Sequence, residues 1–230
     1  MATISAPTQL LTFGSTGQTA SSVFASSASL TAGRLYVIFC GTTISAKVSS
    51  TVSGSSSTWT CAANANSARS LSYCYCVASV TETVTLTVNW ADATSGGTTM
   101  RLVEVVSSIG WPAAPRDSLP ASLNGATGNP TFPASGTLTQ ASEIAFPAVV
   151  AAGNGSLTPT GSTFTNIGSW IYDGSTNGQQ AGYAILASTA SYLPTGTLAG
   201  TVNWRAGQIT FLDGAPAPST NTSSMLLQLP

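Results

Sequence analysis

A chain of 230 residues with 6 Lys+Arg, 7 Asp+Glu and no histidine lacks the clustered basic residues that neutralise a phosphate backbone, which argues against a direct nucleic-acid partner. Only 6% of its residues are charged, against about 25% in ordinary soluble domains, and 34 serines with 34 threonines supply the polarity instead. The 43% apolar content and five tryptophans still support a packed core, and a near-neutral surface that repels its neighbours weakly suits an assembly, or work outside cells.

Helix-spaced apolar patterning is absent, while strand signals bounded by Gly, Pro, Asn and Ser recur. In chain order they predict strands at Leu10–Phe13, Ser21–Phe24, Arg34–Cys40, Thr58–Ala62, Leu71–Ala78, Thr83–Trp90 and Thr98–Val106. A second set follows at Glu143–Val150, Thr163–Asn166, Gln180–Ala187, Gly196–Asn203, Gln208–Leu212 and Ser224–Leu229. Alternation is cleanest in TVTLTV (83–88), where period 2 puts Val84, Leu86 and Val88 on a buried face and the threonines on a wet one. Between the sets, residues 110–130 are rich in Pro and Gly, show no strand period, and read as a long crossover or linker.

The two sets resemble each other. GRLYVIF, LSYCYCVAS and LTVNW in the first are followed by SEIAFPA, QAGYAILAS and AGTVNW in the second, so Leu35 matches Ile144, Tyr73 matches Tyr183 and Trp90 matches Trp204. The expected fold is therefore all-β, an antiparallel, jelly-roll-like β-sandwich. It comprises a first half (1–109), a crossover (110–130) and a second half (131–230), packed as one unit; two small sandwiches are the alternative. The last strand is expected to cover an edge, such as the one beside Leu10–Phe13.

No apolar run reaches the 18 residues a membrane helix needs. MATISAPTQLL has neither the basic nor the apolar region of a secretory signal, so release by cell lysis is the expected route outward.

Chemistry is sparse. Without histidine the commonest general base and the Ser-His-Asp arrangement are gone. Among the seven acids only Glu104 and Glu143 lie within strand signals and suggest a pair for glycoside hydrolysis. The DGSTNG loop places Asp173, Ser175 and Asn177 like the start of a calcium loop but lacks the later acid, and acids before Gly are usually turn formers. A non-enzymatic protein with no cofactor and no metal site is expected.

The cysteines are Cys40, Cys61, Cys74 and Cys76. Cys74 and Cys76 would share one face of a strand and fit a mutual bridge badly, so each needs Cys40 or Cys61 as partner. Reduced, buried thiols are the default without an export signal. One or two cross-strand disulfides, or a thiolate metal site poorly matched by C-x-C spacing, remain open. Trp59, Trp90, Trp111, Trp170 and Trp204, with Tyr172 and Tyr192, could stack on sugars. Trp90 and Trp204 end strands in matching places and read as structural, which leaves Trp111, Trp170 and Tyr172 as the contact aromatics, for a protein interface ahead of a glycan.

The order TAGRLYVIF, STWTCA, SLSYCYCVAS, a Thr/Val strand ending VNW, and MRLVEVVSSIG before a Pro-rich crossover resembles β-sandwich structural proteins of tailed-bacteriophage virions. The resemblance implies a capsid decoration protein or a tail or fibre module. Such a protein is assembled in the host cytoplasm, released by lysis, and partnered by itself and other virion proteins. A carbohydrate-binding or adhesin-like module is the alternative, and a glycan-degrading enzyme a weaker third reading.

Overall fold

The computed structural model describes residues 3–44, 46–66, 69–126, 128–161, 163–199 and 203–214. Every element among them is a strand. The first ten are β1 (Thr8–Gln18), β2 (Ser21–Val23), β3 (Ala28–Leu30), β4 (Leu35–Thr42), β5 (Ser49–Ser53), β6 (Thr60–Asn66), β7 (Arg69–Val77), β8 (Glu82–Val84), β9 (Thr87–Trp90) and β10 (Gly96–Val105). The rest are β11 (Arg116–Ser118), β12 (Leu123–Gly125), β13 (Glu143–Ala152), β14 (Leu157–Pro159), β15 (Thr165–Asn166), β16 (Ile171–Tyr172), β17 (Asn177–Leu186), β18 (Gly196–Leu198) and β19 (Trp204–Leu212).

Two antiparallel sheets form the body. One runs β1-β10-β4-β7-β6 and the other β11-β19-β13-β17-β15, with β12 also against β19 and β16 also against β17. Position for position the orders correspond: β4 with β13, β7 with β17, β10 with β19, β6 with β15. The chain also adds small outer sheets, β2-β9-β5 and β3-β8 in its first part and β14-β18 in its second.

The sheets face each other across one core. Leu35, Val37 and Phe39 of β4 and Tyr73 and Tyr75 of β7 meet Ile144, Phe146 and Ala148 of β13 and Phe211 of β19. Edge-to-face rings link the sheets, with Phe39 5.5 Å from Phe146 and Tyr75 5.0 Å from Phe211, the geometry aromatic quadrupoles favour. At Gly41 the sheets approach so closely that a Cβ would lie 2.6 Å from Val150 Cγ2.

Each sheet also has a covered outer face. Tyr36, Ile38, Cys40, Met100 and Leu102 pack beneath Phe24, Leu30, Val84, Leu86, Val88 and Trp90. On the far side, Val149, Ala151, Trp204 and Ala206 pack beneath Phe132, Leu157, Phe164 and Leu198. The result is four layers. They explain why β4 is buried at every position and reads as a continuous apolar run, whereas the outer-layer stretch 83–88 alternates. Val84, Leu86 and Val88 are buried there, and Thr83 and Thr85 are exposed.

The structure departs from the sequence reading in several places. The stretch expected as one strand over Thr83–Trp90 is broken into β8 and β9, which pair with different partners, β3 and β5 or β2. Residues 110–130 are not structureless, since β11 and β12 lie along β19 and satisfy an edge that local patterning cannot reveal. Of the expected Gly196–Asn203 strand only Gly196–Leu198 is a strand in the described chain, and Ser224–Leu229 lies outside the described residues. Trp90 does end β9, but Trp204 begins β19; both are buried, under opposite outer layers.

Candidate functional site

Pro147 sits in the middle of β13. It lacks a backbone N–H, and the β13–β17 ladder skips it, passing from Ala145↔Ala184 to Ala148↔Ala181. The opposite edge of β17 is covered in pieces. β16 pairs with Gly178 and Gln179, and β15 with Gly182 and Tyr183. Beyond Tyr183 no described strand pairs that edge at Ala184–Leu186. The most exposed large apolar side chains of the described chain stand near this gap, Ile185 at 48% and Leu193 at 52%.

Two grooves adjoin the gap. One, of about 300 Å³, is lined by Thr163–Thr165, Tyr183–Leu186 and Tyr192. The other, of about 290 Å³, is lined by Asn129–Phe132, Thr160 and Leu193–Thr197. The wall between them is hydrogen-bonded. Thr195 Oγ1 donates to Thr160 O at 2.9 Å, Thr163 Oγ1 to Thr195 O at 3.1 Å, and the Tyr192 hydroxyl to Thr163 O. Phe164 and Phe132, edge to face at 5.8 Å, pack beneath. Burial holds the Tyr192 phenol above its ordinary range, so the groove presents neutral hydroxyls, apolar side chains and free strand edge, with no carboxylate among its lining residues. Such a surface can add a strand from another chain or take an uncharged hydroxyl-rich ligand.

The sequence-selected aromatics lie elsewhere and apart. Trp111 is half-buried against the inter-sheet core, with Nε1 donating to Val105 O at 3.3 Å. Trp170 packs on the outer face of the second sheet, over Gly178, where a Cβ would fall 2.1 Å from Nε1. Tyr172 is half-buried, and its hydroxyl donates to Ser175 O at 2.5 Å. Of the stacking candidates only Tyr192 lines the grooves. Ile185 looks like a core residue in sequence, because a strand's free edge is a fact about its neighbours.

The carboxylates do not form a hydrolytic pair. Glu104 faces the outer side of the first sheet, where it receives Arg34 at 2.7 Å and the Tyr36 hydroxyl at 2.5 Å. Burial and Glu104 push that phenol up to about 12. Glu143 points to the outer side of the other sheet, by the alternation that sends Ile144 inward. Both sheets separate the two acids, so they cannot act across one sugar. Glu143 instead neighbours Asp117, and burial with this like charge pushes it up to about 7. Asp173 is a turn former: Oδ1 accepts the N–H groups of Ser175, Thr176 and Asn177 at 2.8, 2.8 and 3.0 Å. The Asn177 amide turns inward to donate to Gly41 O.

Cys61 and Cys74 stand directly opposite on β6 and β7 and form a disulfide, while Cys40 and Cys76 are free and buried. The default of four reduced cysteines fails for this pair, since register alone brings them together. Burial pushes the Cys40 and Cys76 thiols up to about 12, which makes them inert packing groups.

No protein-family model matches the chain, and comparison with curated proteins and with solved structures finds no similar protein.

Proposed function

We propose that this is a non-enzymatic structural protein of a tailed-bacteriophage virion, decorating or reinforcing a capsid or tail as a homo-oligomer. One observation carries the assembly half of this reading: the open edge of β17 at Ala184–Leu186, flanked by the exposed Ile185 and Leu193. An uncovered edge is a template for a strand from another chain. With 6% charged residues little electrostatic repulsion opposes that pairing. The virion half rests on the sequence resemblance described above.

The test is co-sedimentation of purified protein with phage particles, combined with light scattering. A fixed stoichiometry that is lost on Ile185→Lys, with an unchanged unfolding midpoint, supports the proposal. A strict monomer that ignores particles sinks it. Glycan attachment is the second reading, favoured by Tyr183, Tyr192 and the threonine hydroxyls around one groove. Retention on a glycan array that disappears with Tyr183→Ala would select it.

A further inference from the structure

Five buried side-chain atoms without a hydrogen-bond partner among the described residues gather at one end of β19: Arg69 Nε, Tyr73 Oη, Ser122 Oγ, Trp204 Nε1 and Arg205 Nε. All can donate. Arg205 reaches toward Arg69, with Nη1 3.5 Å from its carbonyl. Two residues on along the same face, a Cβ on Gly207 would lie 3.2 Å from the Tyr73 hydroxyl and 3.3 Å from Ser122 Cβ. Arg69, Trp204 and Arg205 line a cavity of about 130 Å³ together with Asn124. Arg205 is only 3% exposed and Trp204 6%.

The charge balance is one-sided. Among the described residues the single salt bridge is Arg34–Glu104, so neither arginine of this cavity has a carboxylate within 4.0 Å. Asp173 acts on Arg69 from farther off, with one oxygen already taken by the turn amides. Arg69 is only half-buried, with Nη1 donating to Asn177 Oδ1 at 2.9 Å and Nη2 to Thr176 O at 3.4 Å, both neutral acceptors, and desolvation works against both charges. Water could satisfy the hydroxyls and N–H groups but cannot neutralise the buried Arg205 guanidinium, and a buried cation is costly without a counter-charge.

We propose that this cavity binds a small oxyanion (a phosphate, sulfate or carboxylate group) between Arg69 and Arg205, with Asn124 and the Trp204 edge beside it. The volume holds one such group with a water or two, and a planar guanidinium fork matches it in geometry.

Equilibrium dialysis of the native chain against labelled inorganic phosphate at constant ionic strength tests this. The expected result is saturable uptake of one phosphate per chain, displaced by sulfate and not by chloride. Arg69→Gln and Arg205→Lys should each weaken it at least about tenfold, as loss of a charge-assisted, bidentate partner does, and the exposed Arg116→Gln should leave it unchanged. Because Arg205→Lys could disturb folding, the melting temperature of the unaltered protein is followed as well, and should rise with the logarithm of phosphate concentration beyond a chloride control. Competition by glucose 6-phosphate would place the anion on a larger molecule, and its failure to compete would assign a free ion; either upholds the site. No saturable uptake, or equal uptake by Arg69→Gln and the unaltered chain, overturns it.

Discussion

Replacing Glu143 with Gln is expected to abolish most of the pH dependence of stability near neutrality and to stabilise the fold above it. Glu143 opens β13 fully buried. Oε1 accepts the Gln140 N–H at 3.1 Å, and the Thr210 hydroxyl and the Asp117 carboxyl stand beside the group. Burial first, then the neighbouring Asp117, raise its carboxyl from an ordinary 4.5 to about 7. The folded chain therefore keeps a proton that the unfolded chain releases above about pH 4.5, so stability is full below that point and falls as pH rises through about 7. At 1.36 kcal/mol per pH unit the loss totals about 3 kcal/mol, of which about 2 kcal/mol falls between about pH 5.5 and pH 8. Little else titrates in that window, because the chain has no histidine and the free thiols lie at about 12. Urea unfolding followed by tryptophan fluorescence across the window measures the effect. The native chain should lose stability and the Gln variant should stay flat, while Asp117→Asn should move the loss to lower pH. A flat native profile, or the same slope in the Gln variant, refutes the reasoning.

The remaining predictions concern the core and its cross-link. Thiol titration of the oxidised protein should detect nothing until denaturant is added and then two groups, Cys40 and Cys76; Cys61→Ser should cost about 3 kcal/mol in urea unfolding, from the loop entropy that a 13-residue separation restores to the unfolded chain. Phe146→Ala removes the ring between Phe39 and Phe211 and should cost about 3–5 kcal/mol by the same assay. Arg101 is fully buried and donates to Gln9 and to the carbonyls of Ile167 and Ser169, so Arg101→Ala should cost about 3 kcal/mol by orphaning those acceptors; a loss under about 1 kcal/mol would contradict that role. Gly178→Ala drives a methyl into the Trp170 indole and should cost about 1–3 kcal/mol, with red-shifted tryptophan emission.

Much of the strand layout was legible because strand formation depends on local period and punctuation. Arg34–Cys40, Leu71–Ala78, Thr98–Val106 and Glu143–Val150 fall on β4, β7, β10 and β13, four of the six interior strands of the two main sheets. The Leu35/Ile144 and Tyr73/Tyr183 matches occupy equivalent strands of sheets with the same order. The alternation of residues 83–88 was legible for the same reason, since one wet face leaves its mark on every second residue. What the chain alone could not express depends on which strands become neighbours. The Cys61–Cys74 bridge follows from the β6–β7 register, and β11 and β12 exist because β19 offers them an edge. Glu104 and Glu143 look like partners in one dimension and are parted by two sheets in three. Ile185 is exposed and Arg205 buried for reasons outside their own segments. Composition and period set where this chain extends; long-range pairing, which sums contributions from residues far apart in sequence, set which edges close, which stay open and where its few charges meet.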